Sequence, residues 1–321
     1  MIRRTTFTLC ALLACLVGTS GEAGAQGALA VRDPAGGTLL FDVISLDLIR
    51  GLPLADGPHD VIVSPDGRYA YVVGTPSSVM VVDLWRRSLA SVIELGDFSP
   101  THGLRLNRKG SRLWVTAAED GAVLELDAQS GTMLMVWKTG RQLNHRVDVT
   151  PDDRKLYIAN ILDDVVTVID RQKVSAWPIS TGTGPADVSV SPNGREVWVA
   201  NSGSHTISVL SVRTDRKLDD FFAGALRPVR LQFNPSGSEV WVLHRSSPEI
   251  SVFDARTREQ VASIALPEVP ADILFSNDGI RAFLSLPTGV VAVDTETREV
   301  VRKFAKPRRG RSTSAELRRG H

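Results

Sequence analysis

Cysteine is nearly absent from this chain of 321 residues. The two that occur, Cys10 and Cys15, both lie within the first 25 residues. The rest of the sequence therefore has no disulfide bond, no thiol nucleophile and no cysteine ligand for a metal. Hydrogen bonds, ion pairs and apolar packing must hold the remaining chain together, even in a compartment that permits disulfides.

A long apolar run is also missing, apart from one near the N-terminus. Residues 7–17 are mostly apolar but too few to span a bilayer as a permanent anchor, so we expect no transmembrane segment. An arginine pair at positions 3–4 precedes this run, and Ala-Gly-Ala at 23–25 follows it. The pattern predicts an export signal over residues 1–25, cleaved after Ala25, and hence a periplasmic or secreted protein.

Cys15 leaves a second interpretation of the N-terminus open. Leu-Leu-Ala-Cys at 12–15 is similar to a lipoprotein box, in which Cys15 would carry a lipid anchor. Cys15 lies inside the apolar run rather than at its end, so cleavage after Ala25 is the favoured prediction.

The body of the chain lacks a basic excess. Lys and Arg number 37 against 36 acidic residues, but eight of the basic residues lie in the last 20 positions, which contain a single acidic residue, Glu316. The mature body is therefore acidic, and we expect no nucleic-acid partner, because a phosphate backbone requires a basic surface. The basic segment 306–321 is expected to be disordered. Its alternative contacts are anionic lipid, an acidic partner or the acidic body of its own chain.

One unit recurs six times along the chain. Each copy contains a turn related to Ser-Pro-Asp-Gly, and the turns begin 43, 43, 41, 43 and 42 residues apart. These turns are residues 64–67, 107–110, 150–153, 191–194, 234–237 and 276–279. Seven residues after each start stands an aromatic residue: Tyr71, Trp114, Tyr157, Trp198, Trp241 and Phe283. We interpret these aromatics as packing between neighbouring units, not as a ligand cage.

Four short runs of strand type fill each unit. The first precedes the turn, the second follows it, and the third ends in an Asp whose carboxylate is expected to bond the backbone two residues later. The fourth run is more polar. This rhythm predicts an all-β fold, a β-propeller of four-stranded antiparallel blades.

Residues 29–54 contain three further strands, at 29–32, 38–42 and 46–54. Together with the six complete units they predict a seven-bladed β-propeller over residues 26–305, in a monomer. The extra unit has no first strand of its own, and we expect the other end of the chain to supply it and to lock the ring shut.

Two units resemble a known repeat. Tyr-Ile-Ala-Asn at 157–160 with Val-Ile-Asp at 168–170, and Val-Trp-Val-Ala-Asn at 197–201 with Ile-Ser-Val at 207–209, are similar to the YVTN-type β-propeller repeat of exported bacterial proteins. The resemblance covers nearly the whole mature chain and implies a seven-bladed propeller. It does not select a function, because the family includes surface proteins, accessory proteins of cofactor pathways, and relatives of lactonases, lyases and haem d1 domains.

Three of the six histidines occupy one register. His59, His102 and His145 each stand five residues before a turn, where first strands begin near the central axis. Imidazoles ringed around a channel mouth can bind a transition metal such as Zn, Cu or Fe, ligate a haem, or act as an acid/base pair. The alternative is that each one simply bonds a neighbouring strand. His205 and His244 follow second strands and are expected to face solvent.

The next register holds charged residues of both signs. Asp60, Arg146, Asp187, Arg230 and Asp272 are candidates for binding a polar or anionic small ligand. Ion pairs among these channel-lining side chains are the alternative.

Two functions from different classes remain. The first is a non-catalytic binding or scaffold module for a periplasmic protein partner or a small polar ligand at the propeller face. The second is a metal- or haem-dependent enzyme or cofactor-handling protein, lyase- or lactonase-like, that uses His59, His102 and His145.

Overall fold

The computed structural model describes strands at 13–14, 28–32, 38–42 and 48–52, and residues 60–305 except 75–76, 87, 99–100, 142–143 and 277. The rest of the predicted export signal and the basic segment 306–321 lie outside the described residues. All regular elements of the described part are β-strands, as the sequence predicts. In this part of the chain, no helix is long and apolar enough to cross a membrane.

An N-terminal sheet and six complete blades, which we number I to VI, succeed one another along the chain. The N-terminal sheet contains β1 (Leu13–Ala14), β2 (Ala28–Arg32), β3 (Thr38–Asp42) and β4 (Leu48–Leu52). Blade I contains β5 (Asp60–Val63), β6 (Tyr69–Gly74), β7 (Ser78–Asp83) and β8 (Ser88–Glu94). Blade II contains β9 (Thr101–Leu106), β10 (Arg112–Ala117), β11 (Ala122–Asp127) and β12 (Met133–Lys138).

The remaining blades repeat this plan. Blade III contains β13 (Asn144–Val149), β14 (Lys155–Asn160), β15 (Val165–Asp170) and β16 (Ser175–Ser180). Blade IV contains β17 (Pro185–Val190), β18 (Glu196–Asn201), β19 (Thr206–Ser211) and β20 (Arg216–Phe222). Blade V contains β21 (Pro228–Phe233), β22 (Glu239–His244), β23 (Glu249–Asp254) and β24 (Gln260–Ala265). Blade VI contains β25 (Asp272–Phe275), β26 (Arg281–Leu286), β27 (Gly289–Asp294) and β28 (Val300–Ala305).

The sheets are arranged around a common axis. Strands within each sheet pair in sequence order and are antiparallel. The first strands of consecutive blades contact one another, and β1 contacts both β25 of blade VI and β5 of blade I. The N-terminal sheet therefore lies between the last blade and the first. The architecture is an all-β propeller of four-stranded antiparallel blades.

The first strand of the N-terminal sheet differs from the expectation. It comes from Leu13–Ala14, within the predicted export signal, and not from the other end of the chain. Leu13 pairs with Val31 and Ala14 pairs with Ala30 of β2. Sequence reasoning missed this pairing because two residues carry no strand pattern of their own.

The turns between first and second strands interlock around the ring. A Cβ added at Gly110 would lie 2.7 Å from Cδ of Pro65 in the turn of the preceding blade. The same contact joins Pro151 to Gly194, and Pro192 to Gly237. These glycines also have positive φ, so they satisfy the turn conformation and the close approach of a proline ring together.

Between blades II and III, both the proline and the glycine of this contact are replaced. Arg108 replaces the proline of blade II, and Asp153, with φ of 60°, replaces the glycine of blade III. Asp153 instead accepts a hydrogen bond from Nδ2 of Asn107 at 2.8 Å. Without a proline ring opposite it, the blade III position tolerates a side chain.

The regularly spaced aromatics pack between blades, which confirms that prediction. Trp198 of blade IV meets Phe233 of blade V edge-on, with ring centroids 5.8 Å apart. Trp241 of blade V meets Phe275 of blade VI in the same way at 5.3 Å. Both tryptophans are fully buried.

Candidate functional site: the channel of the propeller

The first strands surround a channel with a volume of about 390 Å³. Two registers of these strands supply its charged groups. We call the residue four positions before each turn the mouth position; in blades I to VI it is Asp60, Gly103, Arg146, Asp187, Arg230 and Asp272. The second channel position lies two residues later and is Ile62, Arg105, Asp148, Ser189, Gln232 and Leu274.

The mouth aspartates join neighbouring blades through the backbone. Asp60 accepts hydrogen bonds from the N–H of Val61 at 2.9 Å and from the N–H of Leu104, in the next blade, at 2.8 Å. Asp187 likewise accepts from the N–H of Leu231 in the next blade at 2.9 Å. Each carboxylate is buried, so these bonds act in a medium of low polarity, where they are strong.

Two arginines connect the mouth aspartates into one network. Arg230 places Nη1 3.0 Å from Oδ2 of Asp187 and Nε 2.6 Å from Oδ1 of Asp272. Arg146 places Nη1 3.2 Å from Asp60 and Nη2 3.8 Å from Asp272. The structure thus brings all five predicted ligand-binding residues together, and it pairs them with one another.

Burial and charge shift the titration of this network in opposite directions. Burial raises the pKa of Asp60, while the Arg146 guanidinium and the Leu104 N–H lower it. Burial alone lowers the pKa of Arg230, but the carboxylates of Asp187, Asp272 and Asp60 outweigh it and raise that pKa above its usual range. Arg230 therefore remains charged and neutralises its carboxylate neighbours.

Asp148, at the second channel position, also joins neighbouring blades through the backbone. Its carboxylate accepts the N–H of Val149 at 2.7 Å and the N–H of Val190, in the next blade, at 2.8 Å. Nε of Arg105 lies 2.7 Å from Oδ1 of Asp148. Burial raises the pKa of Asp148, and the Arg105 guanidinium lowers it. Sequence reasoning missed Asp148; the two-residue alternation of a strand would have placed it one layer below the mouth.

Arg105 and Gln232 offer polar atoms to the channel that they line. The Arg105 side chain is 42% exposed, although its carboxylate partner is buried. Its Nε is close to that carboxylate but has no hydrogen-bond partner of favourable geometry among the described residues. Oε1 of Gln232 is buried and likewise has no hydrogen-bond partner in the described part of the chain. This layer can therefore bind a small polar group, whereas the mouth network is already internally paired.

The structure describes only part of the predicted histidine cluster. Nδ1 of His145 lies 2.7 Å from the carbonyl oxygen of Ala186 in the next blade. This contact is the neighbouring-strand alternative that the sequence left open. His59 and the side chain of His102 lie outside the described residues. Within the residues that are described, no group of three His, Cys, Asp or Glu is placed to hold a metal ion.

His244 was expected to face solvent, and that prediction is wrong. It is the last residue of β22 and is fully buried, with Nε2 3.0 Å from Oγ of Ser251. Burial lowers its pKa to about 4. Asn160 and Asn201 end the second strands of blades III and IV at the same register and are also buried. Alignment with those asparagines was the signal that could have corrected the expectation.

The fold and the channel define a β-propeller, and known proteins agree with this class. Residues 167–262 match the family described as Lactonase, 7-bladed beta-propeller. That match spans less than a third of the chain.

Two curated relatives are similar over part of their length. Muconate cycloisomerase 1 of Cutaneotrichosporon cutaneum is 26% identical over 232 residues, which cover 61% of this chain and 62% of that protein. Antigen Lp49 of Leptospira interrogans serovar copenhageni is 27% identical over 132 residues, which cover 41% of this chain and 22% of that protein. The chain thus spans less than two thirds of either relative.

Among solved structures, hydrazine synthase of Kuenenia stuttgartiensis is similar with a TM-score of 0.65 and 19% identity. The superposition covers 74% of this chain and 76% of that chain. At this identity the likeness shows the fold alone.

Proposed function

We propose that this protein is a binding module whose channel holds a small ligand that is anionic at neutral pH. One observation carries the proposal: Arg105 lines the channel with a partly exposed side chain, and its Nε lies 2.7 Å from the buried carboxylate of Asp148. The fork of N–H donors on a guanidinium matches a carboxylate or phosphate group. Gln232 supports the proposal with a further polar group in the same layer.

The mouth network supports a scaffold role beside this site. Asp60 and Asp187 bond consecutive blades, and Arg230 holds two buried carboxylates at once. A channel wall fixed in this way loses little conformational freedom when a ligand binds, which favours affinity. The same rigid ring presents its loops to a partner protein at the propeller face.

Calorimetric titration with succinate, muconate and inorganic phosphate tests the channel site. We expect at least one of the three to bind, and Arg105→Gln to weaken it by about ten-fold or more, which corresponds to about 1.4 kcal/mol. Arg256→Gln is the matched control, because Arg256 is exposed on a turn outside the channel. Equal affinity of the Arg105→Gln variant and the parent protein would overturn the proposal.

We also propose that the protein is exported, with cleavage after Ala25, and that β2, β3 and β4 of the N-terminal sheet, which cleavage leaves in place, belong to the seventh blade of a YVTN-type propeller. The position of that sheet between blades VI and I supports the blade count, as does the seven-bladed description of the matching family. N-terminal sequencing of the protein recovered from the periplasm tests the cleavage. A mature N-terminus at a lipidated Cys15 would replace this proposal by the lipoprotein alternative.

A second candidate is an enzyme acting on a lactone or a carboxylate. The lactonase family match and the similarity to a muconate cycloisomerase favour it. His145 would be its general acid or base, since the contact with Ala186 orients the ring. Turnover of muconate or its lactone, lost in His145→Gln with the fold intact, would support this candidate. If metal analysis shows no bound metal and no haem absorbs, the metal- or haem-dependent form is rejected.

A further inference from the structure

The two ends of the channel differ in charge. At the mouth, three carboxylates face two guanidiniums in the network described above. The other end is lined by the turns between first and second strands, among them Arg108, Pro151, Pro192 and Pro235, and we call it the turn end. Arg108 is the one charged side chain among the described turn residues that line it. An anion therefore meets an excess of carboxylates at the mouth and a cation at the turn end.

Arg108 stands where most blades have a proline. Pro65, Pro151, Pro192 and Pro235 fill this turn position in blades I, III, IV and V. Each of these proline rings lies close to the turn glycine of the following blade. An arginine does not supply this packing, which points to a separate role for its guanidinium.

The Arg108 side chain reaches past the neighbouring blade. Its Nη2 donates a hydrogen bond to the carbonyl oxygen of Pro192, in blade IV, at 2.7 Å. A guanidinium carries five N–H donors, and this contact engages one of them. The side chain is exposed and forms no ion pair within the described part of the chain, whereas Arg105, Arg146 and Arg230 each lie beside a carboxylate. Arg108 thus holds a charge at the turn end that the described residues do not neutralise.

Arg105 and Arg108 are close enough to act on one small ligand. Arg105 lies on β9, three residues before Arg108, and both line the channel. Three residues of extended chain span about 10 Å, and each side chain can bend toward the other, so the pair suits two anionic groups joined by about two to four carbon atoms.

We propose that Arg108 binds the second anionic group of the channel ligand, which is therefore a short dicarboxylate that enters from the turn end. This inference rests on the proposed anion site at Arg105. One carboxylate contacts Arg105 inside the channel. The other takes the place of the Pro192 carbonyl at Arg108, because a guanidinium binds a carboxylate more strongly than a neutral carbonyl oxygen. Arg108 thereby selects dicarboxylates over monocarboxylates.

Calorimetric titration with matched pairs of acids tests this selection. Muconate and sorbate share one diene chain but carry two carboxylates and one carboxylate, respectively, and succinate and butyrate are a saturated pair of equal length. We expect the parent protein to bind the dicarboxylate of at least one pair about ten-fold or more tightly than its monocarboxylate, since a second charge-assisted contact forms. Arg108→Gln should reduce this preference to about two-fold or less and leave the monocarboxylate affinity unchanged. Glutamine can still donate to the Pro192 carbonyl, so the substitution removes the charge rather than the contact between blades.

Lys109→Gln is the matched control, because it removes a positive charge from the same turn. Lys109 is exposed and does not line the channel, so we expect this variant to keep the preference of the parent protein. Equal losses of preference in Lys109→Gln and Arg108→Gln would show a general attraction of anions to the turn and would overturn the proposal. So would equal weakening of both members of a pair by Arg108→Gln, or a parent protein without any preference.

Arg108→Lys is a second variant that keeps the charge but not the planar fork of donors. Its preference for dicarboxylates should lie between those of the parent protein and Arg108→Gln. Thermal unfolding of each variant shows whether its fold is intact. If both substitutions of Arg108 keep the full preference of the parent protein, Arg108 does not bind the ligand.

Arg105→Gln in the same titrations separates this inference from the proposed site. If Arg105→Gln weakens both members of a pair while Arg108→Gln weakens neither, the channel site stands and the role given to Arg108 is wrong. If Arg105→Gln changes no affinity, the channel site itself is overturned, and the inference about Arg108 falls with it.

Discussion

Nζ of Lys155 lies 2.7 Å from Oδ2 of Asp215 in the next blade, and one blade later Glu196 and Arg258 occupy the same two positions with their charges exchanged. In each case the first residue of a second strand meets the turn between the third and fourth strands of the following blade. The fold accepts either order of charges at this place, so complementarity is the requirement.

Lys155→Glu is therefore expected to destabilise the protein by about 2 kcal/mol, because it sets two carboxylates against each other in a mostly buried site. Adding Asp215→Arg recreates the order of Glu196 and Arg258 and is expected to recover most of that loss. Urea unfolding of both single variants and the double variant measures the coupling. If the double variant is no more stable than the summed effects of the two single substitutions predict, the charges of these two positions cannot be exchanged freely.

Arg108 and Asp153 replace the proline and the glycine of one contact between turns. We therefore expect a destabilising substitution at one of these positions to be compensated by a substitution at the other. Arg108→Pro alone should destabilise the protein by about 1–3 kcal/mol, because the new proline ring would clash with the Cβ of Asp153. At the corresponding place in other blades, Gly110, Gly194 and Gly237 have no Cβ to meet the proline. Asp153→Gly in the same chain should remove that clash. Thermal unfolding provides the comparison, and a harmless Arg108→Pro single variant would contradict the proline–glycine rule.

Arg230 neutralises two buried carboxylates, so its removal should be costly. Arg230→Met is expected to destabilise the protein by about 3 kcal/mol or more, since it leaves Asp187 and Asp272 without their closest cation. Arg256→Met serves as the exposed control, and equal effects of the two substitutions would refute the role given to the network.

Buried His244 predicts acid sensitivity within a defined range. Its pKa is lowered to about 4 in the folded protein from an ordinary value of 6.5. Between these pH values the unfolded chain binds the additional proton, so stability falls as the pH drops from 6.5 to 4, by up to about 1.4 kcal/mol per pH unit. His244→Gln should be less sensitive over this range, as seen in the difference between the two unfolding curves. His205→Gln, at a half-buried position, is the control.

The repeat alone predicted the strands well. Most of the third strands end in an Asp as predicted, for example Val165–Asp170 and Gly289–Asp294, because the turn that follows favours this residue. The turn role of the terminal Asp is confirmed as well, since Asp170 Oδ1 accepts the N–H of Gln172 at 3.0 Å. These features depend on local sequence, which a repeat displays six times.

The contacts between blades were harder to predict. Register placed Arg230 near Asp187 and Asp272, but it could not show that they would pair, because pairing depends on ring geometry and side-chain reach. His244 was assigned to a solvent-facing loop for the same reason: its burial comes from neighbours that are distant in sequence. β1 has no local signal at all and is defined only by the strand beside it.

The aspartate bonds between blades have a direction. In the contacts of Asp60 with Leu104, of Asp148 with Val190, and of Asp187 with Leu231, the acceptor always belongs to the earlier blade and the donor to the later one. A chain growing from its N-terminus therefore makes each carboxylate before the amide that satisfies it has been synthesised. Until that amide arrives, burying the carboxylate is unfavourable, so blades I, III and IV stay incomplete until their successors dock. These contacts therefore favour assembly of the ring in the order in which the blades are synthesised.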